Sequence, residues 1–201
     1  MSTRQRLSAE ARRELIEQAA SEVFAERGYH AASIDEIARR SGVSAPVVYD
    51  HFESKQDLYK RLLERHQGDL LELWRVQLAG EEPPQRRIRR ALEAWFEYIE
   101  AHPAWLMVFR DAPPELADFH REIRARGLEA LSPLTAREAI AQGAPEVAIA
   151  TELFRSAVAG VALWWQEHRE VPPDRVVGVI MNLMWLGFER VLAGESLAPG
   201  S

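Results

Sequence analysis

The residue types that do chemistry are present but scattered. The six histidines, His30, His51, His66, His102, His120 and His168, include no two at i, i+3 or i+4 spacing, so no helix face offers paired imidazoles to a metal. The 201 residues contain no cysteine, which removes disulfides, thiolate ligands, thiol redox switching and a cysteine nucleophile together. No Gly-x-Ser-x-Gly elbow, phosphate loop or dinucleotide fingerprint occurs. His102 before Pro103, and His120 near Asp118 and Glu122, come nearest to an acid–base arrangement, and surface or capping histidines account for both. The expectation is no enzyme, no metal and no cofactor.

What the pattern does supply is a set of short, strongly capped helices. Ser33-Ile-Asp-Glu36 is a capping box, in which the serine hydroxyl accepts from the Glu36 amide and the glutamate reaches back. It opens a short helix that turns Ile34, Ile37 and Ala38 inward. Ser41-Gly42-Val43-Ser44 is a turn, with Gly42 able to take a positive φ after the helix ends. A third helix runs from Ala45 to about Phe52, and a second capping box, Ser54 to Asp57, opens a long fourth helix through about Leu78. Ahead of these lies a helix from Ser8 to Arg27. Its pairs Leu15/Ile16, Ala19/Ala20 and Val23/Phe24 recur at helical spacing, and Gly28 closes it.

Prolines punctuate the remainder at Pro83-Pro84, Pro103, Pro113-Pro114, Pro145 and Pro172-Pro173, each where a helical pattern begins and a missing amide is tolerated. Helices are predicted over 84–101, 104–111, 115–142, 146–168 and 174–193, with Ser132-Pro133 kinking or splitting the third of these. No alternating strand pattern and no internal repeat is present. The hydrophobic fraction of 47% and charged fraction of 28% are those of a soluble globular chain. The most apolar stretches, Ala157 to Trp165 and Val176 to Phe188, fall short of the roughly 18 to 20 residues a membrane span needs. Met1 to Arg13 carries four arginines and no apolar run, so it does not read as a signal peptide. A cytoplasmic protein without a membrane partner is expected.

Two short helices joined by a tight glycine turn, the second led by Ser44, form the arrangement that places a recognition helix in a DNA major groove. Val43, Val48 and Phe52 face the core, leaving Ala45, Pro46, Tyr49 and Asp50 outside, and Ala38 is small where the helices cross. Charge does not announce this role. The net charge is −6, and the first 60 residues hold nine basic and ten acidic side chains, so placement of the basic groups must matter more than their number. The geometry alone also leaves an ordinary helical turn open.

The run from Ser33 to Leu58, together with Phe24, Gly28, Ile37, Ala38, Gly42, Val43, Tyr49, Phe52, Lys55 and Leu58, resembles the signature of the TetR (tetracycline repressor-like) family over about Leu15 to Tyr59. The resemblance implies that Ser33 and Ser44 cap helices and touch phosphates. It implies that Tyr49, His51 and Lys55 bind phosphates, Lys55 at a helix N-terminus where anions are favoured. Base edges would be met by Ala45, Pro46, Val47 and Asp50. The chain departs from the family at Pro46, commonly glycine, and at Val47-Val48, commonly Thr-Leu. Few donors then remain, so thymine-methyl contact, an Asp50 acceptor toward cytosine N4 and shape readout are expected. Arg4 and Arg6 read either as a minor-groove arm or as a plain tail.

Beyond Pro84 the chain is rich in large aromatics, with six tryptophans in the whole sequence. Trp95, Phe96, Ile99, Trp105, Phe109, Phe119, Phe154, Val158 and Trp165 are candidate walls of a pocket for a hydrophobic small molecule, with packed core as the competing reading. The last two helices are apolar nearly all round, and a helix apolar on every side must be covered on every side. The resemblance implies that they pair with their symmetry mates in a homodimer, through Gly160, Trp164, Val177, Ile180, Met181, Met184, Trp185 and Phe188. The fold expected is all-α: a three-helix helix-turn-helix domain over 1–53, a helical ligand-binding and dimerisation domain over 54–195 joined through the fourth helix, and a disordered tail over 196–201. The function expected is a ligand-responsive transcriptional regulator, a repressor released from a palindromic operator by a hydrophobic effector. The alternative is a helical dimer that binds a small molecule or protein and carries a vestigial DNA module.

Overall fold

The computed structural model describes residues 8–103, 105–106, 113–130 and 145–192. Every regular element among them is helical. Helix α1 (Ala9–Ala31) starts where the Ser8 hydroxyl accepts from the Ala11 amide at 3.1 Å, and Gly28 interrupts it at φ +73°, ψ 171°. Helices α2 (Ile34–Ser41), α3 (Ala45–His51) and α4 (Lys55–Leu78) follow, close to the predicted bounds. Then come α5 (Pro84–Ala101), a 3-10 turn Pro114–Leu116 leading into α6 (Ala117–Ala130), α7 (Pro145–Glu167) and α8 (Pro173–Leu192). The predicted helix over 104–111, the part of 115–142 beyond residue 130 with Ser132-Pro133, the Arg4/Arg6 arm and the tail over 196–201 lie outside the described residues.

The chain divides into two compact units, Met1–His66 with Ala104–His120, and Gln67–Pro103 with Arg121–Ser201. Helices α4 and α6 contribute to both. In the first unit Ile16, Ala19, Ala20, Val23 and Phe24 of α1 are buried together with Ile34, Ile37 and Ala38 of α2, Val48 of α3, and Leu58, Tyr59, Leu62 and Leu63 of α4. Burying each valine, leucine, isoleucine or phenylalanine side chain among them stabilises by about 1.5–3 kcal/mol. Phe24 meets the Tyr59 ring edge-on at 5.1 Å, and the Tyr59 hydroxyl lies 3.2 Å from His120 Nε2. Burial pushes the Tyr59 phenol well above its ordinary pKa.

In the second unit α8 packs on both α5 and α7. Ile88, Ala91, Leu92, Trp95, Phe96 and Ile99 of α5 are buried with Val158, Ala159, Ala162 and Trp165 of α7 and with Val176, Val177, Ile180 and Met181 of α8. Three of the residues expected at a dimer face are buried within the chain itself. Val177, Ile180 and Met181 are turned inward by the two helices that α8 touches, whereas Val179 and Leu183 are exposed, Leu183 at 77%. A helix apolar all round has no pattern to set its rotation, so packing selects the buried side. Gly160 is exposed, Trp164 is 46% exposed, Met184 and Trp185 are half-buried, and the Phe188 side chain is outside the described set. Among the described residues no helix is long and apolar enough to cross a membrane.

Candidate nucleic-acid interface

The reader begins at a cap. The Ser33 hydroxyl accepts from the Glu36 amide at 3.2 Å, as the capping box requires. Its return half is not made. The Glu36 carboxylate pairs instead with Arg27 at 2.9 Å and Arg40 at 3.2 Å. Arg40 also grips Glu26 with its two terminal guanidinium nitrogens, which lowers the Glu26 carboxyl below its ordinary pKa. These ion pairs tie the start and the end of α2 to α1.

Gly42 ends α2 at φ +71°, a left-handed conformation that costs a side-chain-bearing residue. The Val43 amide then donates to the Ala38 carbonyl at 3.0 Å, closing the turn. Ser44 leads α3 through its backbone, its carbonyl accepting from Val47 at 3.0 Å and Val48 at 3.2 Å, while its hydroxyl makes no cap hydrogen bond. The expected side-chain cap is therefore absent, and that hydroxyl is left for an external acceptor. Pro46 sits in the first turn without loss, since its amide would be unpaired there anyway.

Val48 is fully buried and fixes the inner side of α3. The outer side presents Pro46, Tyr49 and Asp50, with Tyr49 55% exposed, while Ala45, Val47 and His51 are half-buried. Phe52 is buried under the Arg13 guanidinium, 5.5 Å from the ring centre. The second box shifts by one residue: the Ser54 hydroxyl accepts from the Asp57 amide at 3.1 Å, but Asp57 accepts from Glu53, at 3.1 Å, and from Arg61. Partial burial opposes ionisation of Asp57, and the Arg61 and Glu53 hydrogen bonds outweigh it, leaving the carboxyl below its ordinary range.

Lys55 has different partners from those expected. Its ammonium donates to the carbonyls of Tyr29 at 2.8 Å, Ala32 at 3.0 Å and His30 at 3.4 Å, and lies 4.5 Å from the centre of the Tyr29 ring. The cation most open to solvent on the turn is Arg39, 73% exposed and 3.9 Å from Glu36. The reading by resemblance passed over it. Its position one residue before Arg40, on the opposite side of α2 from Ile37 and Ala38, was the available signal.

The aromatic candidates separate between the units. Trp95, Phe96, Ile99, Phe154, Val158 and Trp165 belong to the second, where Phe96 packs edge-on against Trp165 at 5.3 Å and Trp95 at 5.2 Å. Trp165 donates its indole N–H to the Val171 carbonyl at 2.7 Å and carries the Arg169 guanidinium at 3.9 Å from its ring. Those contacts are the packing of a core. Trp105 and Phe119 belong to the first unit, beside His66 and Lys60 respectively, and Phe109 is outside the described residues. An open cleft of about 520 Å³ lies elsewhere, in the first unit, lined by Ala9, Glu10, Arg13, Glu14, Glu17, His51 and Arg65. Its charged rim is held by Glu17, which is buried and pairs with both Arg13 and Arg65.

The family model for bacterial regulatory proteins of the tetR family matches residues 16–62, the segment just described. The transcriptional activator FasR of Mycolicibacterium smegmatis is 34% identical over 190 residues, covering 92% of this chain and 87% of that protein. A TetR-like regulator from Rhodococcus sp. RHA1 superposes with a TM-score of 0.68 at 25% identity, over 94% of this chain and 100% of that one. The regulator FadR of Bacillus subtilis, solved in complex with stearoyl-CoA, superposes with a TM-score of 0.69 at 20% identity, over 91% of this chain and 99% of that one. The chain belongs to the TetR family: it is a DNA-binding transcriptional regulator with a helix-turn-helix, and not an enzyme.

Proposed function

We propose that the chain binds a palindromic operator as a cytoplasmic homodimer and is released from it by a long-chain fatty acyl-coenzyme A. The observation that carries the DNA half is the outer face of α3. Pro46, Tyr49 and Asp50 stand exposed on a helix whose orientation is set by buried Val48 and by the Gly42 turn. Tyr49, His51 and the uncommitted Ser44 hydroxyl address phosphates, joined by exposed Arg39 on the helix that crosses the backbone. Ala45, Pro46, Val47 and Asp50 meet base edges, mostly through apolar contact and shape.

Dimerisation is supported by exposed apolar or small residues at helical spacing on α7, Ile149, Leu153, Gly160 and Trp164, and by exposed Val179 and Leu183 on α8. Large apolar side chains left exposed on neighbouring helices are candidates for an interaction site. A two-fold pair then reads half-sites about 34–36 Å apart, which one short helix does not specify alone. The acyl effector is supported by the stearoyl-CoA bound to the Bacillus subtilis neighbour. To act, it must bind the DNA-incompetent state more tightly than the competent one.

Gel-shift titration against the DNA flanking the protein's own gene tests this reading. Salt-sensitive binding with a two-half-site footprint is expected, weakened by stearoyl-CoA and not by coenzyme A alone. No shift at low salt would favour the vestigial-module alternative. Unchanged affinity with stearoyl-CoA demonstrably bound would remove the release mechanism. A footprint over the promoter is expected for a repressor; one wholly upstream would assign activation, as the name of the Mycolicibacterium relative has it.

A further inference from the structure

We infer that two carboxylates of the first unit, Glu26 and Glu36, are positioning residues for operator binding, acting through Arg40 and Arg27 and without touching DNA. The inference rests on the chain's binding DNA, and on neither the palindrome nor the effector. Four side chains close a ring between α1 and α2. Arg40 donates from its two terminal nitrogens to the two oxygens of Glu26, one of them at 2.7 Å, and from one of those nitrogens to Glu36 at 3.2 Å. The second Glu36 oxygen receives Arg27 at 2.9 Å. Glu26 and Arg27 are neighbours in α1, just ahead of the break at Gly28, while Glu36 and Arg40 stand one turn apart on one side of α2. The charges alternate around the ring. Glu36 is the more buried of the two carboxylates, its side chain 13% exposed against 55% for Glu26.

The ring matters because α2 has little else to fix its rotation. It is eight residues long, and its buried side chains are Ile34, Ile37 and Ala38. Apolar burial is non-directional, whereas a two-point guanidinium–carboxylate pair fixes both distance and plane. Helix α3 hangs directly on the last turn of α2: the Val43 amide donates to the Ala38 carbonyl at 3.0 Å and the Gly42 amide to the Arg39 carbonyl at 3.4 Å. A roll of α2 therefore carries the recognition helix with it. Ion pairs open to solvent on one side contribute little to overall stability, so loss of the ring is read as misorientation and not as unfolding. The ring also accounts for the unmade half of the capping box, since Glu36 accepts from two arginines and not from its own cap. Charge alone argues the other way. Removing an acidic side chain from a protein that binds a polyanion tightens binding, so the two roles predict opposite signs.

The test uses the full chain and a duplex selected from random-sequence DNA by the unaltered protein. Dissociation constants are measured across a salt series for Glu26→Gln, Glu36→Gln, Arg40→Gln, Arg40→Lys and the double variant Glu26→Gln/Arg40→Gln. Titration at duplex concentrations far above the dissociation constant counts folded, competent protein separately. Glu36→Gln and Arg40→Gln are expected to weaken binding about tenfold and Glu26→Gln about threefold, the scale of coupling within one ion-pair network. The end points and the slope of log affinity on log salt should not change. Arg40→Lys should weaken binding too, because an ammonium does not reproduce the two parallel hydrogen bonds to Glu26. The double variant should bind no worse than Arg40→Gln alone, since the two side chains act as one unit. The proposal is overturned if Glu26→Gln and Glu36→Gln bind as tightly as the unaltered chain or more tightly, or if the losses in the double variant add. It is equally overturned if Arg40→Gln lowers the salt slope by about 0.9, the signature of a lost phosphate contact. A fall in the end points with no change in the affinity of the remaining protein would reduce the ring to a fold-stabilising contact and overturn it as well.

Discussion

The turn around Gly42 and the pair of helices α7 and α8 are held in opposite ways. The turn is defined by single polar contacts: Ser33 to an amide, Arg40 to two carboxylates, Lys55 to three carbonyls. The helix pair is defined by apolar area, with Val177, Ile180 and Met181 buried and Val179 and Leu183 left outside. Hydrogen bonds are directional, so each polar contact specifies one partner. Burial is non-directional, so an all-apolar helix specifies only that its surface be covered. In the function proposed above the division runs along the same line, with the polar region aiming a few side chains at DNA and the apolar region left to meet a partner and an effector.

Trp165→Ala breaks the comparison hardest. As a core residue packed on Phe96, Trp165 should cost about 3–5 kcal/mol of unfolding free energy by chemical denaturation when truncated. A loss under about 1 kcal/mol would show that the site tolerates an opening and is pocket wall instead. Next is Leu183→Glu. The leucine is exposed in the isolated chain, so the monomer fold should be unaffected, while self-association by light scattering weakens on the order of a hundredfold, about 2.7 kcal/mol. An unchanged dimer would exclude this stripe as the interface.

The polar region yields smaller, sharper effects. Gly42→Ala should destabilise by about 1–2 kcal/mol, all of it backbone conformation, because a Cβ there meets no atom within 4 Å. Ser33→Ala should cost about 1 kcal/mol by removing the cap, whereas Ser44→Ala should leave stability unchanged and weaken only operator binding. Equal losses in thermal melting would refute the distinction between the two serines. The smallest effect is on pH. Arg40 holds the Glu26 carboxyl below its unfolded pKa, so its stabilisation is present above that value and lost as pH falls through the folded one. Arg40→Gln should flatten that acid-side dependence of the melting temperature; an unchanged profile would show the pair contributes nothing.

Much of the head was legible in the residues. Gly28, Ser33, Gly42 and Ser54 mark its helix ends because caps and positive-φ glycines act within four residues of chain. The same local reading failed where a side chain reached farther. Glu36 and Asp57 satisfied the box spacing yet took other partners, and Lys55 found carbonyls more than twenty residues upstream. Spacing reports which contacts are possible; it does not report which competitor sits nearest once the chain is folded.

By itself, then, the sequence determined an all-helical chain, the positions of its breaks and the family of its DNA reader. These follow from local periodicity, capping and a dense motif. Only the tertiary structure decided which face of α8 is buried, that Phe96 and Trp165 pack as core, and that Lys55 closes α1. Each of those is a choice among sterically equivalent options, and it is made by whichever distant surface arrives to remove water or accept a hydrogen bond.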